Sequence, residues 1–206
     1  MPTRLRRVEQ VGRNRELVLA AAQRVFIARG YAGATLEAIA DEAGFSKGVV
    51  YSQFGSKPDL FFVLLEQRME QRAAHHRRAV AGLAGLDAFH ALIRAGAEDA
   101  ESEPGWQFVL TEFRAQAVRN PDLNSRYADV HSRAVDNFAS VLTQVYGSAD
   151  LAPTISVRSL AEFIFATATG VALERSANPS AIPEHQIAEL LLPALGLTPS
   201  ATSERA

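Results

Sequence analysis

The feature that most constrains the fold of this chain is the spacing of its apolar residues, which is that of α-helices and is interrupted at short intervals by glycine and proline. Apolar side chains recur three and four residues apart along most of its 206 residues, as on one face of an α-helix. No Asn-Gly or Asp-Gly hairpin turn occurs, and β-branched residues rarely alternate with polar ones. These patterns predict an all-α protein with about nine helices and no sheet.

The breaks and capping residues predict where each helix begins and ends. A first helix is expected from about Arg13 to Arg29, ended by Gly30. Thr35 and Gly44 bracket a short second helix, and Ser46 and Gly55 bracket a third over Lys47–Phe54. Ser56 is expected to cap a long fourth helix that ends near Val80. Five more are expected at about 86–102, 105–119, 121–146, 155–177 and 183–195.

Composition excludes several classes of protein. Apolar residues make up 48% and charged residues 21% of the chain, which is typical of a globular protein. Cysteine is absent, so neither a disulfide framework nor a thiolate metal site is available. The basic N-terminus lacks a signal-peptide core, and no stretch reaches the ~18 apolar residues of a membrane span. We expect a soluble cytoplasmic protein with no cofactor.

Histidine spacing does not favour a metal site. His90, His131 and His185 have no second histidine three or four residues away. His75 and His76 are adjacent, so on a helix they should point in different directions. We therefore expect core or solvated histidines and no bound metal.

Charge is divided unevenly along the chain. Residues 1–57 carry nine Arg and Lys and five acidic residues, whereas residues 58–206 carry twelve and eighteen. A basic N-terminal part beside an acidic remainder suggests a small module that binds a polyanion. An accidental gradient of solvated charges explains the same numbers equally well.

Thr35–Phe54 has the pattern of a DNA-binding helix-turn-helix. Two short amphipathic helices are joined by a turn containing Gly44, with the small Ala40 where the helices would cross. The second helix opens with the small or basic residues Ser46, Lys47 and Gly48. Such residues let the backbone approach DNA, and the free amides at a helix N-terminus favour phosphate.

The same stretch resembles the tetracycline-repressor-type (TetR) family of transcriptional regulators. The resembling sequence is TLEAIADEAGFSKGVVYSQFGSKPDLF, residues 35–61. Twelve positions match the family pattern: Thr35, Ile39, Ala40, Ala43, Gly44, Ser46, Gly48, Tyr51, Phe54, Ser56, Lys57 and Leu60. The departures are Phe45, Val50, Pro58 and Gln53, of which Gln53 replaces a usual histidine and cannot ionise.

The resemblance implies which residues contact DNA. Those residues are Thr35, Ser46, Lys47, Gly48, Val49, Tyr51, Gln53 and Lys57. Capping alone explains Thr35 and Ser46, and a solvated lysine or a packed tyrosine explains others. Arg4, Arg6 and Arg7 form a basic arm that either contacts DNA or only aids solubility.

A rival motif lies within these residues. Gly44–Gly48 matches Gly-x-Ser-x-Gly, the nucleophile elbow of serine hydrolases. That elbow requires a strand before the serine, whereas LEAIADEA before it reads as a capped helix. An enzyme is therefore the remote alternative.

The resemblance implies that residues 1–57 bind DNA and that residues 58–206 bind an effector and dimerise. Residues 160–173 carry one charge, Glu162, so this helix should be covered on several sides. With the last helix it is expected to form the homodimer interface, through Leu160, Phe163, Ile164, Thr167, Val171, Ile187, Leu190, Leu191 and Leu195. A core helix in a monomer is the alternative. A two-fold operator favours the dimer, since it needs two recognition helices ~34 Å apart.

Aromatic residues in the second part suggest a hydrophobic effector, although such residues are more often plain core. The expected pocket residues are Phe61, Phe62, Phe89, Trp106, Phe108, Phe113, Tyr127, His131, Phe138 and Thr167, with Glu112, Arg114 and Asn137 as further polar candidates. The predicted function is a DNA-binding repressor that a small, largely hydrophobic effector releases from double-stranded operator DNA. An activator or a nucleoid-type DNA binder without an effector is the alternative.

Overall fold

A computed structural model describes residues 2–102, 105–148, 153 and 155–194, with residues 2–9, 184, 188 and 192–194 described as backbone only. Over these residues the chain forms nine α-helices and no strand, which confirms the all-α prediction. No helix in the described ranges is long and apolar enough to cross a membrane. The helices are α1 Pro2–Gly33, α2 Leu36–Ala43, α3 Lys47–Phe54, α4 Lys57–Ala79, α5 Gly85–Ser102, α6 Trp106–Ala117, α7 Pro121–Ser148, α8 Val157–Ala177 and α9 Glu184–Ala194.

Helix α1 departs most from its predicted bounds. It begins at Pro2, well before the predicted start near Arg13. Proline is well tolerated in a first helical turn, and no glycine or proline interrupts the chain again until Gly12. The predicted stop at Gly30 appears as a break within α1, where Gly30 has φ 70° and ψ 172°. One further turn, ending at Gly33, follows this break.

The chain forms two compact units. One contains residues 1–70 and 104–130, and the other contains residues 71–103 and 131–206. Helices α4 and α7 each contribute their first part to the first unit and their second part to the other. This division differs from the expected one at residue 57, because α6 and the start of α7 share a core with α1–α3.

The core of the first unit is aromatic. Phe61 lies at its centre, with its ring centroid 5.3 Å from that of Phe26, 4.9 Å from Tyr31 and 4.4 Å from Phe113. Trp106 stacks on Phe61 at 5.6 Å. Side chains from α1, α2, α3, α4, α6 and α7 therefore close around one cluster, which holds the two motif helices in place.

The second unit has a separate apolar core from α5, α7, α8 and α9 together with Val80. A row of rings crosses it: Phe138 packs edge-on against both His76, at 5.3 Å, and Phe165, at 5.7 Å. Arg158 on α8 forms an ion pair with Asp136 and a 3.0 Å hydrogen bond to Ser132, both on α7. These contacts align α8 with α7.

Candidate nucleic-acid interface

Helix α2 begins with the predicted cap. Thr35 has extended backbone angles, and its hydroxyl oxygen accepts a hydrogen bond from the Ala38 N–H at 3.1 Å. This satisfies one of the amides that the first helical turn leaves without a partner. Leu36, Ile39 and Ala40 are buried, so the helix packs through one face.

Gly44 makes the turn between the two motif helices. It has φ 73° and ψ 27°, a left-handed conformation that glycine adopts without steric cost. The next amide, of Phe45, donates to the Ala40 carbonyl at 2.9 Å and closes the turn. A helix therefore precedes Ser46, which excludes the strand that a nucleophile elbow needs.

Helix α3 has one buried and one exposed face. Val50 and Phe54 are buried in the core of the first unit. The exposed residues are Ser46, Lys47, Gly48, Tyr51 and Ser52. A short helix that presents small, basic and hydroxyl-bearing side chains from its N-terminus has the form of a recognition helix.

Ser46 occupies the N-cap position, but its hydroxyl makes no capping hydrogen bond. The prediction that Ser46 caps the helix with its side chain is therefore wrong. Its carbonyl instead accepts from the Val49 N–H at 3.0 Å. The first amides of α3 thus lack a side-chain cap at the exposed end of the helix, which suits an anion.

Glu37 on α2 contacts two of the expected DNA-binding residues. Its carboxylate forms an ion pair with the Lys47 ammonium and lies 3.5 Å from the Tyr51 hydroxyl. The Lys47 Nζ is also 5.3 Å from the centre of the Tyr51 ring. The hydrogen bond with Lys47 lowers the pKa of Glu37, and the same bond raises the pKa of Lys47.

Gln53 and Val49 are only half-buried. The side-chain oxygen of Gln53 is buried without a hydrogen-bond partner. A buried acceptor without a donor is energetically unfavourable. The side-chain oxygen of Gln53 could therefore still accept a hydrogen bond, and it lies on the helix that carries the exposed face. DNA contact by either residue stays a prediction, and the side chains of Arg4, Arg6 and Arg7 and the whole of Leu195 lie outside the described residues.

Lys57 binds the last turn of α1 and the residue that follows it. Its ammonium donates to the carbonyls of Tyr31 at 2.8 Å, Ala34 at 2.9 Å and Ala32 at 3.3 Å. It also lies 4.7 Å from the centre of the Tyr31 ring. Burial lowers the pKa of Lys57, and the carboxylate of Glu112 acts in the opposite direction. A phosphate contact stays a prediction, and it would have to share this ammonium with the carbonyls.

Glu112 on α6 binds the backbone amides of the same segment. Its carboxylate accepts from the Tyr31 N–H at 2.7 Å and from the Ala32 N–H at 3.1 Å. A Cβ atom on Gly30 would lie 2.5 Å from Oε2 of Glu112, so only glycine leaves room for this contact. The sequence suggested Glu112 as a pocket residue and did not indicate this role. The sequence signal for this contact is the glycine at position 30, where the helix breaks.

The expected effector residues divide between the two cores. Six belong to the first unit: Phe61, Phe62, Trp106, Phe108, Phe113 and Tyr127. Phe89, His131, Phe138 and Thr167 belong to the second unit. Most of the aromatic members pack against one another, whereas Phe108 is 41% exposed. An open groove of about 350 Å³ occurs elsewhere, between Arg78 and Arg94 over alanines of α4 and α5.

The expected dimer residues also differ in burial. Leu160, Val171 and Leu191 are buried within their own unit, so their burial needs no second subunit. Phe163 is 49% and Leu190 69% exposed. Ile164, Thr167 and Ile187 are half-buried. Only part of the expected set is therefore accessible to a partner in the described chain.

His75 and His76 converge on one carboxylate, contrary to the expectation that they point in different directions. Nδ1 of His75 lies 2.8 Å from Oδ1 of Asp99 on α5. Nε2 of His76 lies 3.1 Å from Oδ2, at ion-pair distance but without hydrogen-bond alignment. Arg72 donates to Oδ2 at 3.2 Å. Burial alone would raise the pKa of Asp99, but these contacts outweigh it and lower the pKa to about 2.

Comparison with known proteins agrees with this geometry. A family model described as bacterial regulatory proteins, tetR family, matches residues 18–64. A second, described as BetI-type transcriptional repressor, C-terminal, matches residues 85–196.

Individual relatives match at lower identity. The transcriptional activator FasR of Mycolicibacterium smegmatis is 40% identical over 63 residues, which cover 31% of this chain and only 29% of FasR. The regulator UidR of Escherichia coli K12 is 23% identical over 76% of this chain and 79% of its own. The fold resembles that of FadR from Bacillus subtilis, crystallised with stearoyl-CoA, at a TM-score of 0.71 and 19% identity over 87% of this chain and 96% of that one.

The helix-turn-helix and the second helical region thus match the two parts of one family. The two family models match the N-terminal and the C-terminal regions of the chain, and the second match alone spans more than half of the chain. The chain therefore belongs to the tetR family of bacterial transcriptional regulators, and its C-terminal region is of the BetI repressor type.

Proposed function

We propose that this protein is a dimeric repressor that binds operator DNA through α3 and leaves it when a small, largely hydrophobic effector binds. The observation that carries the proposal is the exposed face of α3, which opens with Ser46, Lys47 and Gly48 above the buried Val50 and Phe54. The major groove, ~12 Å wide, admits a helix of this kind. Residues 1–57 form the proposed DNA-binding part, and residues 58–206 the effector-binding and dimerisation part.

The proposed DNA face is formed by the exposed or half-buried residues of the motif and its flanks. Thr35 and Tyr51 would bind backbone phosphates, and Ser46, Gly48 and Val49 would approach base edges. Lys47, Gln53 and Lys57 complete the set. Since members of this family bind DNA as dimers, the proposed operator has two half-sites about one turn of DNA apart.

Footprinting on the region upstream of the protein's own gene tests the DNA contact. We expect a two-fold symmetric protected site, which is lost in Gly48→Glu. A Cβ at Gly48 would meet only the Ser46 hydroxyl, at 4.0 Å, so the substitution leaves the fold intact while placing a carboxylate towards phosphate. Gly147→Glu on α7 is the matched control, because no atom lies within 4 Å of its Cβ position. Equal binding by both variants would remove α3 from the interface.

The proposed dimer rests on the accessible part of α8 and α9. Phe163 and Leu190 are exposed apolar side chains on these two helices. Phe163→Glu combined with Leu190→Glu should convert the dimer to a monomer in size-exclusion chromatography with light scattering. Val118→Glu, at a side chain 73% exposed in the first unit, should leave the dimer intact. Wild-type protein that is monomeric at micromolar concentration would contradict the proposal.

The hydrophobic effector is supported by the number of aromatic side chains in both units. Stearoyl-CoA, the ligand crystallised with FadR of Bacillus subtilis, is a suitable first probe. We expect it to raise the Tm and release DNA in an anisotropy assay, whereas CoA alone does neither. A ligand must favour the form that does not bind DNA, since equal affinity for both forms shifts nothing. Failure of stearoyl-CoA and of free stearate would favour the effector-independent alternative.

A further inference from the structure

Glu37 is an acidic residue placed on the face that is proposed to meet a polyanion. It lies in the first turn of α2, two residues after the cap Thr35. Its side chain is 45% exposed, and that of its partner Lys47 is 57% exposed. The pair is therefore at the surface, beside the open end of α3.

The groups that Glu37 binds are those a DNA phosphate would bind. The ammonium of Lys47 and the hydroxyl of Tyr51 both approach its carboxylate, at the positions where the resemblance expects DNA contacts. A carboxylate and a phosphate oxygen accept the same hydrogen bonds and attract the same charge. The ammonium can divide its three N–H donors between the two anions, but its single charge is then shared, and each anion gains less from it than it would alone.

We propose that Glu37 acts as an internal competitor of DNA phosphate for Lys47 and Tyr51, and so lowers the affinity of the protein for DNA of any sequence. The inference rests on the proposed DNA-binding function. Exposed ion pairs are weak, so DNA can displace Glu37, but binding must replace an existing contact. Because phosphate contacts carry no sequence information, the cost applies to operator and random DNA alike.

Glu37→Gln tests this competition with a change of charge and little change of shape. In fluorescence anisotropy with a random duplex and with the upstream duplex, we expect Glu37→Gln to bind both more tightly, by about 2- to 5-fold, the fold-change that corresponds to an exposed ion pair. The slope of log K against log salt should also steepen by up to about 0.9, the increment for one more phosphate neutralised. Circular dichroism confirms that the helices remain.

Glu42→Gln is the matched control. Glu42 lies on the same helix, is 44% exposed and pairs with Arg24 at 2.7 Å, a residue outside the expected DNA face. It removes the same charge without releasing Lys47, so affinity and salt slope should stay near the wild-type values. An equal gain in Glu42→Gln would overturn the proposal in favour of a general charge effect.

A double-mutant cycle with Lys47→Gln separates competition from direct repulsion. If Glu37 acts through Lys47, the gain from Glu37→Gln should largely disappear in the Lys47→Gln background. A gain that persists there assigns the effect to repulsion between Glu37 and phosphate and overturns the proposal. Wild-type affinity in Glu37→Gln also overturns it while leaving the DNA-binding function standing. If no form of the protein binds either duplex, the proposed function fails as well.

Discussion

A carboxylate in each compact unit joins two helices through several donors, but the donors are of different kinds. In the first unit, Glu112 binds the backbone amides of Tyr31 and Ala32. In the second, Asp99 lies against the imidazoles of His75 and His76 and the guanidinium of Arg72. Both carboxylates bridge helices of their own unit, α6 to the end of α1 and α5 to α4.

The difference lies in how each contact responds to pH and to substitution. Backbone amides keep their protons at any physiological pH, so the Glu112 contact depends on a fixed backbone shape and on the space at Gly30. The Asp99 contacts join side chains only, and they require the carboxylate to be ionised, so acid that protonates Asp99 weakens them. The Glu112 contact thus depends on backbone geometry, whereas the Asp99 contacts depend on side-chain charge.

The largest effect is expected from Gly30→Ala. The backbone at φ 70° and ψ 172° is a region essentially restricted to glycine, and the new Cβ would lie 2.5 Å from the Glu112 carboxylate. We expect a loss of about 3 kcal/mol in the free energy of unfolding, or roughly 6–12 °C in Tm by calorimetry. Gly33→Ala should be nearly neutral, because its Cβ would make only an ordinary contact, at 3.5 Å from Arg29. Similar losses in both variants would contradict the special role of Gly30.

Glu112→Ala should follow, with a loss of about 2 kcal/mol, since it leaves the amide of the buried Tyr31 without an acceptor. Urea unfolding measures this loss. In the Glu112→Ala background, Gly30→Ala should cost less than it does alone, because the carboxylate that it would strike is gone. Strict additivity of the two losses would show that Gly30 and Glu112 act independently.

The contribution of Asp99 should depend on pH. The pKa of Asp99 is lowered to about 2 from an ordinary value of 3.8. The unfolded chain therefore binds more protons between these values, and the stabilisation, about 2 kcal/mol, is complete above pH 4 and lost as the pH falls through 2. Asp99→Asn should reduce the fall in the free energy of unfolding between pH 5 and pH 2, as measured by urea unfolding. The exposed Glu101→Gln should retain the wild-type fall, and a steep fall in Asp99→Asn would contradict the assignment.

Lys57→Met is expected to have the smallest effect on stability, about 1 kcal/mol, as its three carbonyl acceptors regain water or other donors. If the ammonium also reaches a phosphate, the slope of log K against log salt should fall by about 0.9. Lys47→Met provides the comparison, because Lys47 lies on the exposed face of α3 and binds no backbone carbonyl in the described part of the chain, so its loss should change the salt slope with little effect on stability. An unchanged slope in Lys57→Met would limit Lys57 to the α1–α2 junction.

Most of the fold could be predicted from local patterns. The starts and ends of α2 and α3 follow from Thr35, Gly44 and Gly55, because caps and left-handed turns depend on the residue itself and its near neighbours. The true start of α1 was missed, since its basic first turns lack the apolar stripe by which a helix is recognised. The predicted side-chain cap at Ser46 is wrong, because a serine at an N-cap position need not turn its hydroxyl towards the helix.

The sequence by itself determined the all-α class, the helix-turn-helix and the family, because these depend on spacing and residue type along the chain. Only the tertiary structure decided that Glu112 binds amides 80 and 81 positions away, that His75 and His76 share Asp99, and that Glu37 pairs with Lys47. Such contacts join residues that have no fixed separation in sequence. They depend on which helices pack together and at what distance, and that is set by the cores of the two units.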